Sequence, residues 1–180
     1  MPSSRSLRHD DGGLARGTPH RAPRRRASVA LLLVASFLPA PASAQKVRIT
    51  NLADVNFGLI SNLQADSRQS QSICLYSQSV AGAYSISATG SGPGSSFALS
   101  DGANSLGYDV EWSAQSGQTS GTQLAPNVAL TGQTSTATHQ FCNTGPTASA
   151  SLTIVLRAAQ LSQARQGNYS GSLTLLVSAE

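Results

Sequence analysis

Between Gly167 and Glu180 the sequence reads GNYSGSLTLLVSAE, and from Tyr169 onward its side chains alternate. Tyr169, Gly171, Leu173, Leu175, Val177 and Ala179 fall on one face, with Ser170, Ser172, Thr174, Leu176 and Ser178 on the other. Alternation of this kind predicts a β-strand with one buried face. Such a strand needs a neighbour at each edge, because unpaired backbone groups and exposed apolar side chains are costly. No further segment follows it in the sequence, so its second neighbour is either an earlier strand of the same chain or a strand from another one.

The opposite end of the sequence has the layout of an export signal. Arg24, Arg25 and Arg26 supply a positive region, Ala27 to Pro39 an apolar stretch, and Ala42, Ser43 and Ala44 a small-residue cleavage site before Gln45. Residues 1–44 are therefore expected to be a signal peptide with a long n-region, in which Met1 to Pro23 is a tail or reflects an upstream start. The apolar stretch is too short for a permanent membrane anchor. The expected product, residues 45–180, is exported, to the periplasm and then the cell surface or the medium.

This division also explains the charge. The whole chain carries a formal +4, but residues 1–44 hold seven Arg and two Asp, whereas the remainder sets five cations against six carboxylates. A nearly neutral domain with scattered cations offers no phosphate-tracking surface, which argues against nucleic acid as a partner.

Residues 45–180 suffice for one domain, rich in small polar residues and poor in aromatics. Two cysteines are present, Cys74 and Cys142, and an oxidising compartment favours their pairing as a disulfide; two unpaired buried thiols are the alternative. A metal site is not expected, since His139 is the sole histidine after residue 44 and no CxxC spacing occurs.

Short alternating runs recur along this domain. Lys46 to Thr50 and Asp54 to Ile60 read as one broken edge strand or two short ones, the first carrying Val47 and Ile49. Asn62 to Ser70 reads as a polar turn. Ser72 to Tyr76 and Ala83 to Thr89, separated by Ser79 to Gly82, read as a hairpin. Phe97 to Ser100 and Gly107 to Ser113 around Asp101-Gly102 read as another, with Tyr108, Val110 and Trp112 inward and Asp109 and Glu111 on a solvent-facing acidic edge. Val128 to Leu130 is at most a short strand, Ala150 to Leu156 alternates strongly, and Ala158 to Gly167 has room for a helical turn. Short strands, frequent turns and no long helical period predict an all-β antiparallel sandwich without repeats or a second domain.

No motif points to catalysis or a cofactor. His139 with Asp101 or Asp109 lacks a nucleophile elbow, since Ser170 stands one place too late for G-x-S-x-G. The glycines of Gly90 to Gly94 lack the lysine and following helix of a phosphate loop. Asn168-Tyr169-Ser170 matches a glycosylation sequon. Trp112 is either a core residue or an exposed platform for a sugar ring. The expectation is a protein that is not an enzyme.

Four segments, in order, resemble the marks of the spore coat protein U domain family, which includes the archaic chaperone-usher pilins. They are Asp54-Val55-Asn56-Phe57-Gly58; Ser72-Ile73-Cys74 leading into Ala83 to Ile86; Leu106 to Trp112; and Gln166 to Leu175, covering nearly all of 53–180. The resemblance implies an immunoglobulin-like antiparallel β-sandwich lacking its last strand. A periplasmic chaperone lends a strand to the gap, and a neighbouring pilin subunit replaces it after delivery to an outer-membrane usher. It further implies that Tyr169, Leu173, Leu175 and Val177 line a partner-strand groove, with the Glu180 carboxylate where a chaperone's basic residues dock. The protein would then be a fibre subunit acting in adhesion and biofilm formation. One departure stands out: only Gln45 to Ala53 precede the Phe-Gly motif, so Val47 and Ile49 belong either to a short donor strand or to this domain's own first strand. A self-complete secreted sandwich, acting as a coat or carbohydrate-binding protein, is the alternative.

Overall fold

The computed structural model describes residues 45–180; the expected signal peptide lies outside the described residues. Ten strands follow in order: β1 (Val47–Thr50), β2 (Ser67–Ser77), β3 (Ala83–Gly90), β4 (Ala98–Ser100), β5 (Ser105–Gly107), β6 (Asp109–Ser113), β7 (Thr122–Gln123), β8 (Leu130–Thr134), β9 (Ala150–Leu156) and β10 (Leu173–Ala179). Among the described residues one short α-helix, α1 (Ala158–Leu161), lies between β9 and β10 and buries Leu161. The strands form a five-stranded sheet, β1-β2-β9-β6-β7, a three-stranded sheet, β10-β3-β8, and the small hairpin β4-β5. All strand pairings are antiparallel, and the architecture is an immunoglobulin-like antiparallel β-sandwich.

Period-two patterning builds the core. Ile73 and Leu75 of β2, Tyr84, Ile86 and Ala88 of β3, Val110 and Trp112 of β6, and Leu152, Ile154 and Leu156 of β9 meet between the sheets. Trp112 is 1% exposed, and its indole N–H donates to the Tyr84 hydroxyl at 3.0 Å, so the ring is a core element and not a sugar platform. Cys74 and Cys142 form the disulfide, with Cα atoms 5.8 Å apart. Closing a span of 68 residues, it disfavours the unfolded chain by about 4 kcal/mol on chain-entropy grounds.

Several elements differ from the sequence expectation. β2 and β3 do not form a hairpin, because they belong to different sheets. Between them Ala81 and Gly82 adopt positive φ, and the Ser77 and Ser79 hydroxyls both donate to the Ala83 carbonyl, turning the chain across the sandwich. Part of the expected polar turn, Ser67 to Ser70, is the start of β2. Its polar side chains are met on the sheet's outer face, where the Ser70 and Thr153 hydroxyls lie 2.8 Å apart. Asp54 to Ile60 forms no strand. The Asn56 carboxamide oxygen accepts the Gly58 N–H, and Gly58 has φ 61°, so alternation breaks and Phe57 and Ile60, three apart, both pack on the core. The strand near Val128 runs instead over Leu130–Thr134. The turn at Asp101-Gly102 joins β4 to β5, while β6 departs to pair with β9.

The expected acidic edge is also different. Glu111 is 6% exposed and accepts hydrogen bonds from Arg68 Nη1 (3.0 Å) and Arg157 Nη2 (3.1 Å). Arg157 also binds Asp109 through Nε at 2.6 Å and Asp66 through Nη1 at 2.9 Å. Two carboxylates two residues apart on β6 thus acquire guanidinium partners from β2 and from the residue after β9, tying three strands together across the sheet's outer face.

Candidate functional site

β10 pairs with β3 along its whole length, from Leu173 opposite Gly90 to Ala179 opposite Tyr84. Its other edge has no strand partner among the described residues. The alternation read from the sequence holds: Leu173, Leu175 and Val177 face inward and pack on the core, yet remain only half-buried, while Leu176 on the other face is 65% exposed. The regular strand is shorter than expected. Tyr169 to Ser172 precede it as a lead-in, anchored by reciprocal backbone bonds between Ser170 and Ser100 and by the bond from Ser91 N–H to the Ser172 carbonyl. Tyr169 still packs on the core and donates its hydroxyl to the Arg165 carbonyl at 3.1 Å.

Across from β10, at the edge of the other sheet, lies β1. Val47 and Ile49 lie in a strand paired antiparallel with β2, Val47 opposite Ser77 and Thr50 opposite Cys74, so in this structure they form the domain's own first strand. Arg48 secures β1 from outside, its guanidinium lying 3.9 Å from the centre of the Phe141 ring, a cation–π contact. At Asn51 the backbone takes φ 65° and leaves β2. From there to Asn62 the chain has no backbone ladder, and only Phe57 and Ile60 return to the core, while Leu59 is 95% exposed. β1 and β10, edge strands of the two sheets, approach each other on this side of the sandwich without pairing.

This arrangement offers an incoming extended segment two things. The free edge of β10 presents backbone N–H and C=O groups in strand geometry. The half-exposed Leu173, Leu175 and Val177 provide apolar surface whose complete burial is worth about 3 kcal/mol in all, roughly half the value for three fully exposed side chains. Glu180 is differently placed. Its backbone N–H donates to the Ala83 carbonyl at 3.3 Å and its Oε2 accepts the Gly132 N–H at 3.0 Å, so the side chain fastens the strand's end to the register irregularity within β8.

The remaining candidates are not brought together. Asp101 is held by Asn104 and the Ala103 N–H, which keep its carboxyl below the usual carboxylate range, and Asp109 is bound to Arg157; neither hydrogen-bonds His139. Among the described residues no cluster of His, Cys, Asp or Glu is arranged to hold a metal, and no helix is long and apolar enough to cross a membrane.

No protein-family model matches the sequence, and no curated protein matches it. Solved structures do. One is a chaperone-tip adhesin complex from CFA/I fimbriae, with 14% identity and a TM-score of 0.48 over 76% of this chain and 42% of the other. Another is the chaperone-tip adhesion subunit pre-assembly complex of the archaic chaperone-usher Csu pili of Acinetobacter baumannii, with 22% identity and a TM-score of 0.39 over 74% of this chain and 39% of the other. The chain thus spans about two fifths of the length of these solved chains.

Proposed function

We propose that this protein is an exported, pilin-like structural subunit of a chaperone-usher surface fibre, assembled by strand donation and serving adhesion and biofilm formation. The reading rests on β10, a fully formed strand with one edge unpaired and its inward apolar residues only half-covered. A chaperone strand bound there supplies the missing ladder and covers Leu173, Leu175 and Val177; a strand from a neighbouring subunit then takes its place. The usher and neighbouring subunits are partners under this reading, no cofactor is needed, and the role is non-enzymatic. With Val47 and Ile49 already engaged on β2, the subunit receives a strand more readily than it gives one. Such a subunit suits a terminal position in a fibre.

The self-complete carbohydrate-binding reading loses its main support because Trp112 is buried. Periplasmic expression separates the alternatives. Produced alone, the subunit is expected to aggregate or be degraded; produced with the chaperone of its own assembly system, it is expected to accumulate as a one-to-one complex. A stable, monodisperse monomer in the absence of any chaperone contradicts the proposal.

A further inference from the structure

β1 stands beside the edge of β10 that has no strand partner, and Cα atoms of the two strands approach within 8 Å. Neighbouring strands of a sheet lie about 4.8 Å apart, so the two strands that flank a third stand about 9.5 Å apart. A strand added to β10 also turns alternate side chains inward, onto the core that Ile49 of β1 shares with Leu173, Leu175 and Val177. A third backbone with its inward side chains therefore does not fit between β1 and β10 as they stand.

β1 is also weakly held. It is four residues long, lies at the edge of its sheet and has no fully buried residue. The bond from Gln78 N–H to the Lys46 carbonyl sets the alternation of its ladder. By register, Arg48 and Thr50 then turn their backbone groups toward β2, while Val47 and Ile49 turn theirs away. On the face opposite Ile49, the Arg48 guanidinium lies over the Phe141 ring at 3.9 Å and holds the strand down. Thr50 acts in the other direction, because its buried Oγ1 has no partner among the described residues and docking of β1 leaves it unsatisfied.

A hinge and a stop follow directly. Asn51 takes φ 65°, and two residues later the Gln71 carboxamide clamps Ala53, accepting its N–H at 2.9 Å and donating to its carbonyl at 3.2 Å. Residues 46–50 can swing away about Asn51 while Ala53 stays fixed to β2.

We propose that β1 is a strap across the strand-accepting edge, which leaves β2 when a partner strand joins β10, with the Arg48–Phe141 contact as its latch. This inference rests on the strand-acceptance reading above. The apparent affinity for a partner strand is then reduced by the fraction of molecules in which the strap is open.

The test is amide hydrogen exchange of the subunit alone and in complex with the chaperone of its own assembly system. In the subunit alone, the Arg48 and Thr50 amides are expected to exchange faster than those of the β2–β9 ladder, since they open with β1. Arg48→Ala should speed exchange at Thr50 about two- to fivefold by removing the cation–π contact. Thr50→Val should slow exchange at Arg48 about fivefold by removing the unsatisfied hydroxyl. Both side chains lie on the face opposite Ile49, so neither substitution alters the accepting surface. In the complex, Arg48 and Thr50 are expected to lose protection as the amides on the free edge of β10 gain it. If β10 becomes protected while Arg48 and Thr50 keep their protection, or if neither variant changes exchange in β1, the strap is refuted and strand acceptance stands. If no complex forms, or β10 gains no protection, the reading beneath it fails as well.

Discussion

Tyr84 and Trp112 show how a sparse set of aromatics can fix a β-sandwich. Their rings meet edge to face with centres 6.4 Å apart, and the indole N–H finds the phenol oxygen, satisfying two polar groups that burial would otherwise penalise. Burial pushes the Tyr84 hydroxyl up to about 12 from its ordinary 10. Because the folded value lies above the unfolded one, its contribution is complete below pH 10 and is lost as pH rises through about 12. The expected loss is about 3 kcal/mol across that interval, measured by urea unfolding at successive pH values. Tyr84→Phe should flatten the curve, and an equally steep loss in that variant would refute the assignment. Thr50 illustrates the opposite case: its Oγ1 is buried with no partner among the described residues. Thr50→Val, nearly identical in shape, should stabilise the protein by about 1 kcal/mol in denaturant unfolding, and destabilisation would show that the hydroxyl has a partner.

Among the strands, those with uninterrupted alternation were legible from sequence. Ala150 to Leu156 forms β9 with the expected bounds, and Leu173, Leu175 and Val177 face inward as their spacing demands. Legibility failed where a side chain served a distant strand. Ser67 to Ser70 looks like a turn because its polar residues answer β9 and Glu111, which are remote in sequence. The β2–β3 corner looks like a hairpin because local residues say that the chain turns, not which sheet it enters. The free edge of β10 gives a contrast within one strand. Leu175→Thr should speed dissociation of a bound partner strand about tenfold, through roughly 1.4 kcal/mol of lost apolar burial. Leu176→Thr, on the exposed face, should leave that rate unchanged. Equal effects from both would mean that the partner does not use the inward face.

For the molecule as a whole, the two sides of the sandwich are finished differently. Toward β7 and β8 the chain crosses between the sheets and bonds to both. Toward β1 and β10 the sheets approach without pairing. The disulfide and the Arg48–Phe141 stack tie β2 and β1 to the segment after β8, and the Arg157 network ties the end of β9 to β6. The unpaired edge of β10 is the feature on which the proposed strand acceptance rests. Amide hydrogen exchange across Leu173–Ala179 measures this directly, comparing the subunit alone with its chaperone-bound form. The account predicts that amides on the free edge exchange rapidly in the subunit alone and become protected in the complex, while those bonded to β3 are protected in both. Uniform protection of β10 in the isolated subunit, or a complex that leaves its exchange unaltered, would contradict it.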